Sequence, residues 1–205
     1  MIQSHKIVTA TPNLSDLLRT AEGYHNRLCP RQVLGMRLGL LGGKILGIPL
    51  PQHDKQLLII AELDGCGVSG ISIATGCTVG HRTLRIVDYG KMAATFIDTK
   101  TEQAVRITPQ PNIRQLAQEV APDQPSRWHA QLLGYQRIPD DQLLRAQTVQ
   151  LNTKVSDIIS RAGHRVSCDT CNEEIINQRE IVRDGQTLCQ SCAGNGYYQL
   201  REQSI

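Results

Sequence analysis

The sequence predicts an α+β protein, an antiparallel sheet with packed helices, followed by a small zinc ribbon or treble-clef finger. Three observations carry this. The apolar run Leu57–Leu63, β-branched at its centre and ended by Asp64-Gly65, reads as a buried strand. Three further short apolar stretches, Thr83–Val87, Met92–Ile97 and Ala104–Ile107, alternate with turn residues, and an antiparallel sheet is their simplest arrangement. The chain closes with two CxxC pairs, Cys168/Cys171 and Cys189/Cys192.

Taken in order, Asn13–Ala21 opens with cap-type residues and places Leu14, Leu17, Leu18 and Ala21 at helical spacing, so it reads as a first amphipathic helix. Pro30 suits the first position of a second helix, with Cys29 as its cap. That helix, Arg31–Leu41, carries Gly35, Gly39 and Gly42 along one face. Each glycine weakens a helix by about 1 kcal/mol relative to alanine, so a shared face of them implies close approach of another backbone, within the subunit or between two. After the first strand, Val68–Thr75 has room for two helical turns. If helical, it starts at Cys66 and ends just before Gly76 and Cys77. Residues 109–162 read as helices broken by prolines: Ile113–Val120, Pro125–Tyr135, Asp140–Val149 and Val155–Arg161. His129 and His164 have no ligand-like neighbours in sequence and read as structural or exposed.

The 205 residues fit a main domain, 1–162, with a small appendage, 163–205. Hydrophobic residues make up 40% of the chain, but Phe and Trp occur once each, so the core must be aliphatic. With 22 basic and 19 acidic residues and no long block of one sign, charge does not argue for nucleic acid or membrane partners. The N-terminus lacks a basic-then-apolar leader pattern and no apolar run approaches a membrane span, so the expected location is cytoplasmic. Seven cysteines in a reducing compartment point to metal binding before disulfides.

The finger is the most specific local signal. Its two CxxC pairs are separated by 17 residues (172–188), the spacing of a four-thiolate structural zinc site formed by Cys168, Cys171, Cys189 and Cys192. Glu180–Leu188 reads as two short strands around Asp184-Gly185, a hairpin that returns the second pair to the first. A piece this small cannot fold on its own core, so metal binding must supply its stability. All four positions are filled by protein, which makes this zinc structural.

Three cysteines remain, Cys29, Cys66 and Cys77, with His25 four residues before Cys29. A thiol at a helix N-terminus is favoured as thiolate, the form that binds soft metals or attacks electrophiles. The stretches His25…Cys29-Pro30, Glu62-Leu63-Asp64-Gly65-Cys66, Thr75-Gly76-Cys77-Thr78-Val79-Gly80 and Asp88-Tyr89-Gly90-Lys91 resemble the family of the E subunit of formylmethanofuran dehydrogenase. Members have an HGHxCPG-type opening, a cysteine after the first core strand, a TGCTxGK-type loop and a following GK. Here Arg27 replaces the second histidine, Arg31 the glycine after Cys-Pro, and His81 the usual lysine of the loop. The resemblance implies a metal-binding α+β domain, a homodimer, and association with molybdenum or tungsten enzymes. It matches His25, Cys29, Cys66, Cys77 and Lys91 to the family pattern, and the first four form a candidate inner site for a second zinc or another transition metal.

Three functions follow. The first is a metal-binding accessory protein holding zinc or another soft metal for a partner enzyme. The second is an enzyme acting on a small substrate, through an open metal position with His81 or Lys91 as acid or base, or through Cys66 as nucleophile. The third is an adaptor or regulator acting through the finger, whose mixed charges give little support for nucleic acid. An open coordination position favours the enzyme, a closed one the accessory protein.

Overall fold

A computed structural model describes residues 11–24, 27–159 and 161–199. The chain divides into two compact units, Met1–Asn152 and Thr153–Ile205.

The first unit is built on a five-stranded sheet of order β2-β1-β3-β4-β5. Its strands are β1 (Leu57–Ala61), β2 (Leu84–Ile86), β3 (Ala94–Asp98), β4 (Ala104–Pro109) and β5 (Leu144–Thr148). The neighbours β1/β3, β3/β4 and β4/β5 are antiparallel, and of these β3/β4 is the pair joined by a short turn. By contrast β2 runs parallel to β1, with Ile59 opposite Leu84. The reason is the intervening helix, which carries the chain back along the sheet and sets β2 down in the direction of β1.

Three helices precede or interrupt the sheet: α1 (Leu14–Tyr24), α2 (Pro30–Leu46) and α3 (Cys66–Thr75). Pro30 is the first residue of α2 and Cys29 its N-cap, although the thiol caps no backbone N–H. The glycine face of α2 is satisfied inside the chain. A Cβ at Gly35 would lie 2.1 Å from the Gly67 carbonyl oxygen of α3, and one at Gly39 would lie 2.9 Å from the side chains of Ala74 and Thr75. The contact is reciprocal, since a Cβ at Gly70 of α3 would lie 2.1 Å from the Gln32 carbonyl oxygen. Gly42 instead receives the ring of Phe96, the chain's single phenylalanine, from β3. With α2 held this close, Leu38, Leu57, Ile59, Phe96 and Ile107 pack into one aliphatic core.

Beyond β4 lie α4 (Ile113–Val120), α5 (Arg127–Arg137) and the single turn α6 (Asp140–Leu143). The helix expected over Asp140–Val149 ends after that turn. Residues 144–148 form the edge strand β5 because their backbone pairs with β4, Ile107 opposite Ala146. Arg37 of α2 fixes the preceding corner: it donates to the Tyr135 and Ile138 carbonyls at 2.8 and 2.7 Å and pairs with Asp140 at 2.7 Å. Replacing it by methionine keeps the packing volume but strands two carbonyls and a carboxylate. Arg37→Met should cost about 3 kcal/mol in denaturant unfolding.

The β3–β4 turn carries a pH-dependent contact. Burial works against the charge on Asp98, but the Lys100 backbone N–H, the Gln56 amide and Thr101 outweigh it and hold the carboxyl below its usual 3.8. A depressed carboxyl contributes stability above the unfolded value that is lost as pH falls through the folded one. The stability gap between wild type and Asp98→Asn should therefore be full at pH 7 and close below about pH 3.8. Denaturant titrations across that range check it.

The second unit contains α7 (Val155–Ile159) and two hairpins, β6 (Arg165–Ser167) with β7 (Glu174–Ile176) and β8 (Ile181–Arg183) with β9 (Gln186–Leu188). Asp184 and Gly185 both have positive φ, 52° and 79°, which suits the two-residue turn expected there. A helical turn, Ser191–Asn195, follows the second CxxC pair. Among the described residues, the unit's buried apolar cluster is Cys168, Ile175, Leu188 and Ala193, with a few flanking side chains.

Candidate functional site

The four C-terminal cysteines converge. Their Sγ atoms all lie within 4.8 Å of one another, with Cys171 and Cys189 at 3.9 Å. Four sulfurs about 2.3 Å from a tetrahedral zinc would be separated by about 3.8 Å, so the spacing fits such an ion and is far from the roughly 2.05 Å of a disulfide. Each CxxC is bent so that backbone N–H groups face sulfur: Cys189 N donates to Cys168 Sγ at 3.3 Å and Cys192 N to Cys189 Sγ at 3.4 Å. Backbone N–H donors from Cys171 and Cys189 pull the Cys168 thiol down to about 6. Cys192 is pushed up to about 12 by its hydrogen bond to Cys189 and by its other sulfur neighbours. One thiolate forms readily and the last only when a cation neutralises the cluster. Among the described residues, this is the one group of three or more His, Cys, Asp or Glu side chains gathered for a metal. The positions of His129 and His164 accord with a structural reading: His129 Nδ1 meets Ser126 Oγ at 2.9 Å, and His164 Nε2 meets Glu180 at 3.2 Å.

The remaining cysteines divide. Cys29 precedes α2 and Cys66 begins α3, and the glycine-mediated contact of those helices sets the two cysteines near each other. Burial, then Cys29 itself, pushes the Cys66 thiol up, while Arg31 pulls it down. Cys77 does not join them. Between Cys66 and Cys77 lies the whole of α3, about 15 Å of helix at 1.5 Å per residue. The Cys77 thiol is 1% exposed, donates to the Leu57 carbonyl at 3.4 Å, and is kept protonated by burial. It is a core residue, which removes it from the four-residue set expected from the sequence. His25 lies outside the described residues. Gln32, one turn beyond Cys29, is fully buried with neither amide atom partnered among the described residues.

Cys29 also lines a cleft of about 870 Å³ at the end of the sheet where β1 and β4 finish and β3 and β5 begin. Lys91 belongs to it, held by a turn in which Tyr89 N and Lys91 N both donate to the Glu62 carbonyl. His81 is exposed on the loop after Cys77 and takes no part in the lining. Arg31, Arg114, Trp128 and Arg145 complete walls that the sequence alone does not reveal. They come from α2, α4, α5 and β5, so no local motif joins them. The one sequence signal is the arginine at position 31, where the resembled family has glycine.

A family model described as FmdE, molybdenum formylmethanofuran dehydrogenase operon, matches residues 24–148, well over half of the chain. The chain belongs to the FmdE family. The match takes in Cys29, Cys66, Cys77 and Lys91, and ends at the last residue of β5, so the four-cysteine unit lies outside it. A solved crystal structure from Syntrophus aciditrophicus, an FmdE-like protein of the tungsten formylmethanofuran dehydrogenase type, shares the fold. Its TM-score is 0.59 at 20% identity, over 92% of this chain and 96% of that one. A probable S-adenosyl-L-methionine-binding protein of Archaeoglobus fulgidus is 33% identical over 97 residues, 46% of this chain. Those residues are 26% of that relative, so this FmdE chain spans about a quarter of its length. Among the described residues, no helix is long and apolar enough to cross a membrane.

Proposed function

We propose that this FmdE-family chain is a metal-binding accessory protein of a molybdenum- or tungsten-type enzyme. Cys168, Cys171, Cys189 and Cys192 hold one structural zinc, and Cys29 and Cys66, with His25, hold a second soft metal. The observation that carries the reading is the gathering of four sulfurs within 4.8 Å, a closed thiolate set that suits zinc and leaves no position for a substrate. Support for the inner site is the meeting of Cys29 and Cys66 at two helix N-termini, a pair of soft donors whose ionisation a bound cation would favour against the burial that raises the Cys66 thiol. Gln32, three residues after Cys29, has a buried amide without a partner among the described residues, the kind of polar group a ligand shell uses. A thiolate and imidazole set prefers zinc, copper(I) or iron to hard ions.

The link to a molybdenum or tungsten enzyme rests on the family description and on the name of the Syntrophus aciditrophicus neighbour. The reading includes a cytoplasmic homodimer, and the contact between its two copies is not the glycine face of α2, which α3 and Phe96 already fill. Affinity capture of the tagged chain from its own cells, followed by elemental analysis of the eluate, tests the partner. Molybdenum or tungsten at near-stoichiometric amounts is expected. Zinc without either element would contradict that part of the proposal.

A second reading is favoured by one observation: Cys29 opens into the cleft, so a metal or thiol there faces any small molecule bound beside it. That geometry suits an enzyme. Metal at the inner site with a water ligand exchangeable for added thiol, read by spectroscopy of the cobalt-substituted chain, would favour it over the accessory role.

A further inference from the structure

We infer that the cleft beside Cys29 binds a small molecule carrying two or more anionic groups, phosphate or carboxylate. This goes beyond the metal-binding reading and does not depend on it, because the groups involved are not metal ligands.

Five cationic side chains line the cleft, Arg31, Lys91, Arg106, Arg114 and Arg145, and no aspartate or glutamate does. Arg106 is already neutralised, since its Nε and Nη2 grip both Glu62 carboxylate oxygens at 2.5 and 2.7 Å. Among the described residues, none of the other four has a carboxylate within salt-bridge distance. Four uncompensated cations around one concavity repel each other and focus a positive potential into it, an arrangement that an anionic occupant relieves.

The site is built rather than incidental. Arg114 stands near the phenol of Tyr135, another lining residue that is 2% exposed, so this arginine borders a buried part of the wall. Arg145 sits on β5 opposite Thr108, another lining residue, and the pairing fixes its backbone. The first turn of the 17-residue helix α2 borders the same space, and the positive end of the helix dipole adds to the potential there. Guanidinium groups offer paired N–H donors that match carboxylate and phosphate oxygens, and arginine supplies three of the four free cations. A cleft of about 870 Å³ is in the usual size range for a small ligand and too confined for a folded partner.

Trp128, the chain's single tryptophan, lines the cleft and reports on its occupancy. The test titrates the full-length chain with fructose 1,6-bisphosphate and, separately, with tricarballylate, following Trp128 fluorescence and heat by calorimetry. Saturable binding to at least one is expected, weakening as salt rises. Binding of the bisphosphate alone assigns phosphate, binding of the tricarboxylate alone assigns carboxylate, and binding of both assigns charge as the selected feature. Arg145→Gln and Lys91→Gln should each weaken binding roughly tenfold, the scale of a lost charge-assisted hydrogen bond. Both side chains are exposed, and neither pairs with a carboxylate that the fold would lose. Arg114→Gln should weaken it as much, with its melting temperature measured alongside because Arg114 lies beside the buried Tyr135. No saturable binding of either probe would overturn the inference. So would binding unchanged in both Arg145→Gln and Lys91→Gln.

Discussion

Removing the metal should unfold the C-terminal unit while leaving the larger one intact. Among the described residues, the unit's buried apolar cluster is four small or medium side chains, too little to offset the chain entropy of about 50 residues at about 1.5 kcal/mol each. Zinc bound by four thiolates contributes about 10–16 kcal/mol at neutral pH, so the folded unit and the bound metal are one thermodynamic state. Hydrogen exchange after chelation should show residues 165–193 losing protection almost entirely, while the core strands β1, β3 and β4 exchange as before. Cys168→Ser should behave like chelation. Acid should do the same, because protons compete with the metal for all four sulfurs and Cys192 ionises at neutral pH only with a cation present. Retained protection in the chelated protein would mean that hydrogen bonds such as Thr187 N to Asp169 and Asp169 N to Thr187 O hold the unit without metal.

Adding one methyl group to the α2–α3 seam should be nearly as damaging to the larger unit. A Cβ at Gly35 would stand 2.1 Å from the Gly67 carbonyl oxygen and 3.0 Å from the Ile71 nitrogen, both backbone atoms that cannot rotate aside. Relief requires the helices to separate by more than an ångström, which opens gaps along the Gly39 and Gly70 contacts as well. Gly35→Ala should therefore cost at least about 3 kcal/mol, despite alanine's gain of about 1 kcal/mol in helix propensity. At roughly 2–4 °C per kcal/mol for a unit of this size, the melting temperature should fall by about 10 °C. Gly23→Ala, where a Cβ meets nothing within 4 Å, should instead be neutral or slightly stabilising. Because Cys29 and Cys66 are brought together by this same seam, Gly35→Ala should also loosen the inner thiol pair.

Features written in adjacent residues were legible from the sequence. Asp64-Gly65 and Gly76 bracket α3, Pro30 starts α2, Asp184-Gly185 turns the finger hairpin, and the CxxC spacing specifies the four-sulfur cluster. Each needs only a local φ preference or a short reach. The glycine spacing in α2 also showed that a backbone must approach, although only the structure identifies α3 and Phe96 as what fills the face.

The misread parts depend on distant partners. Residues 144–148, Leu-Arg-Ala-Gln-Thr, are mostly good helix formers, and they become a strand because β4 offers an unpaired edge. Cys66 and Cys77 look like neighbours in a glycine-rich segment, yet folding that segment into a helix is what separates them. The cleft is the extreme case, since its cations come from four elements and a turn spread between residues 31 and 145.

We propose two metals per chain, one in the finger and one held by Cys29 and Cys66. Elemental mass spectrometry on the purified chain, on Cys168→Ser/Cys171→Ser and on Cys29→Ser/Cys66→Ser tests it directly. The account predicts two metals per wild-type chain and one in each variant, with zinc the element lost from the finger variant. A single metal per chain that is unaffected by changing Cys29 and Cys66 would contradict the inner site, and leave Cys29 as a wall residue of the cleft and Cys66 as a half-buried free thiol.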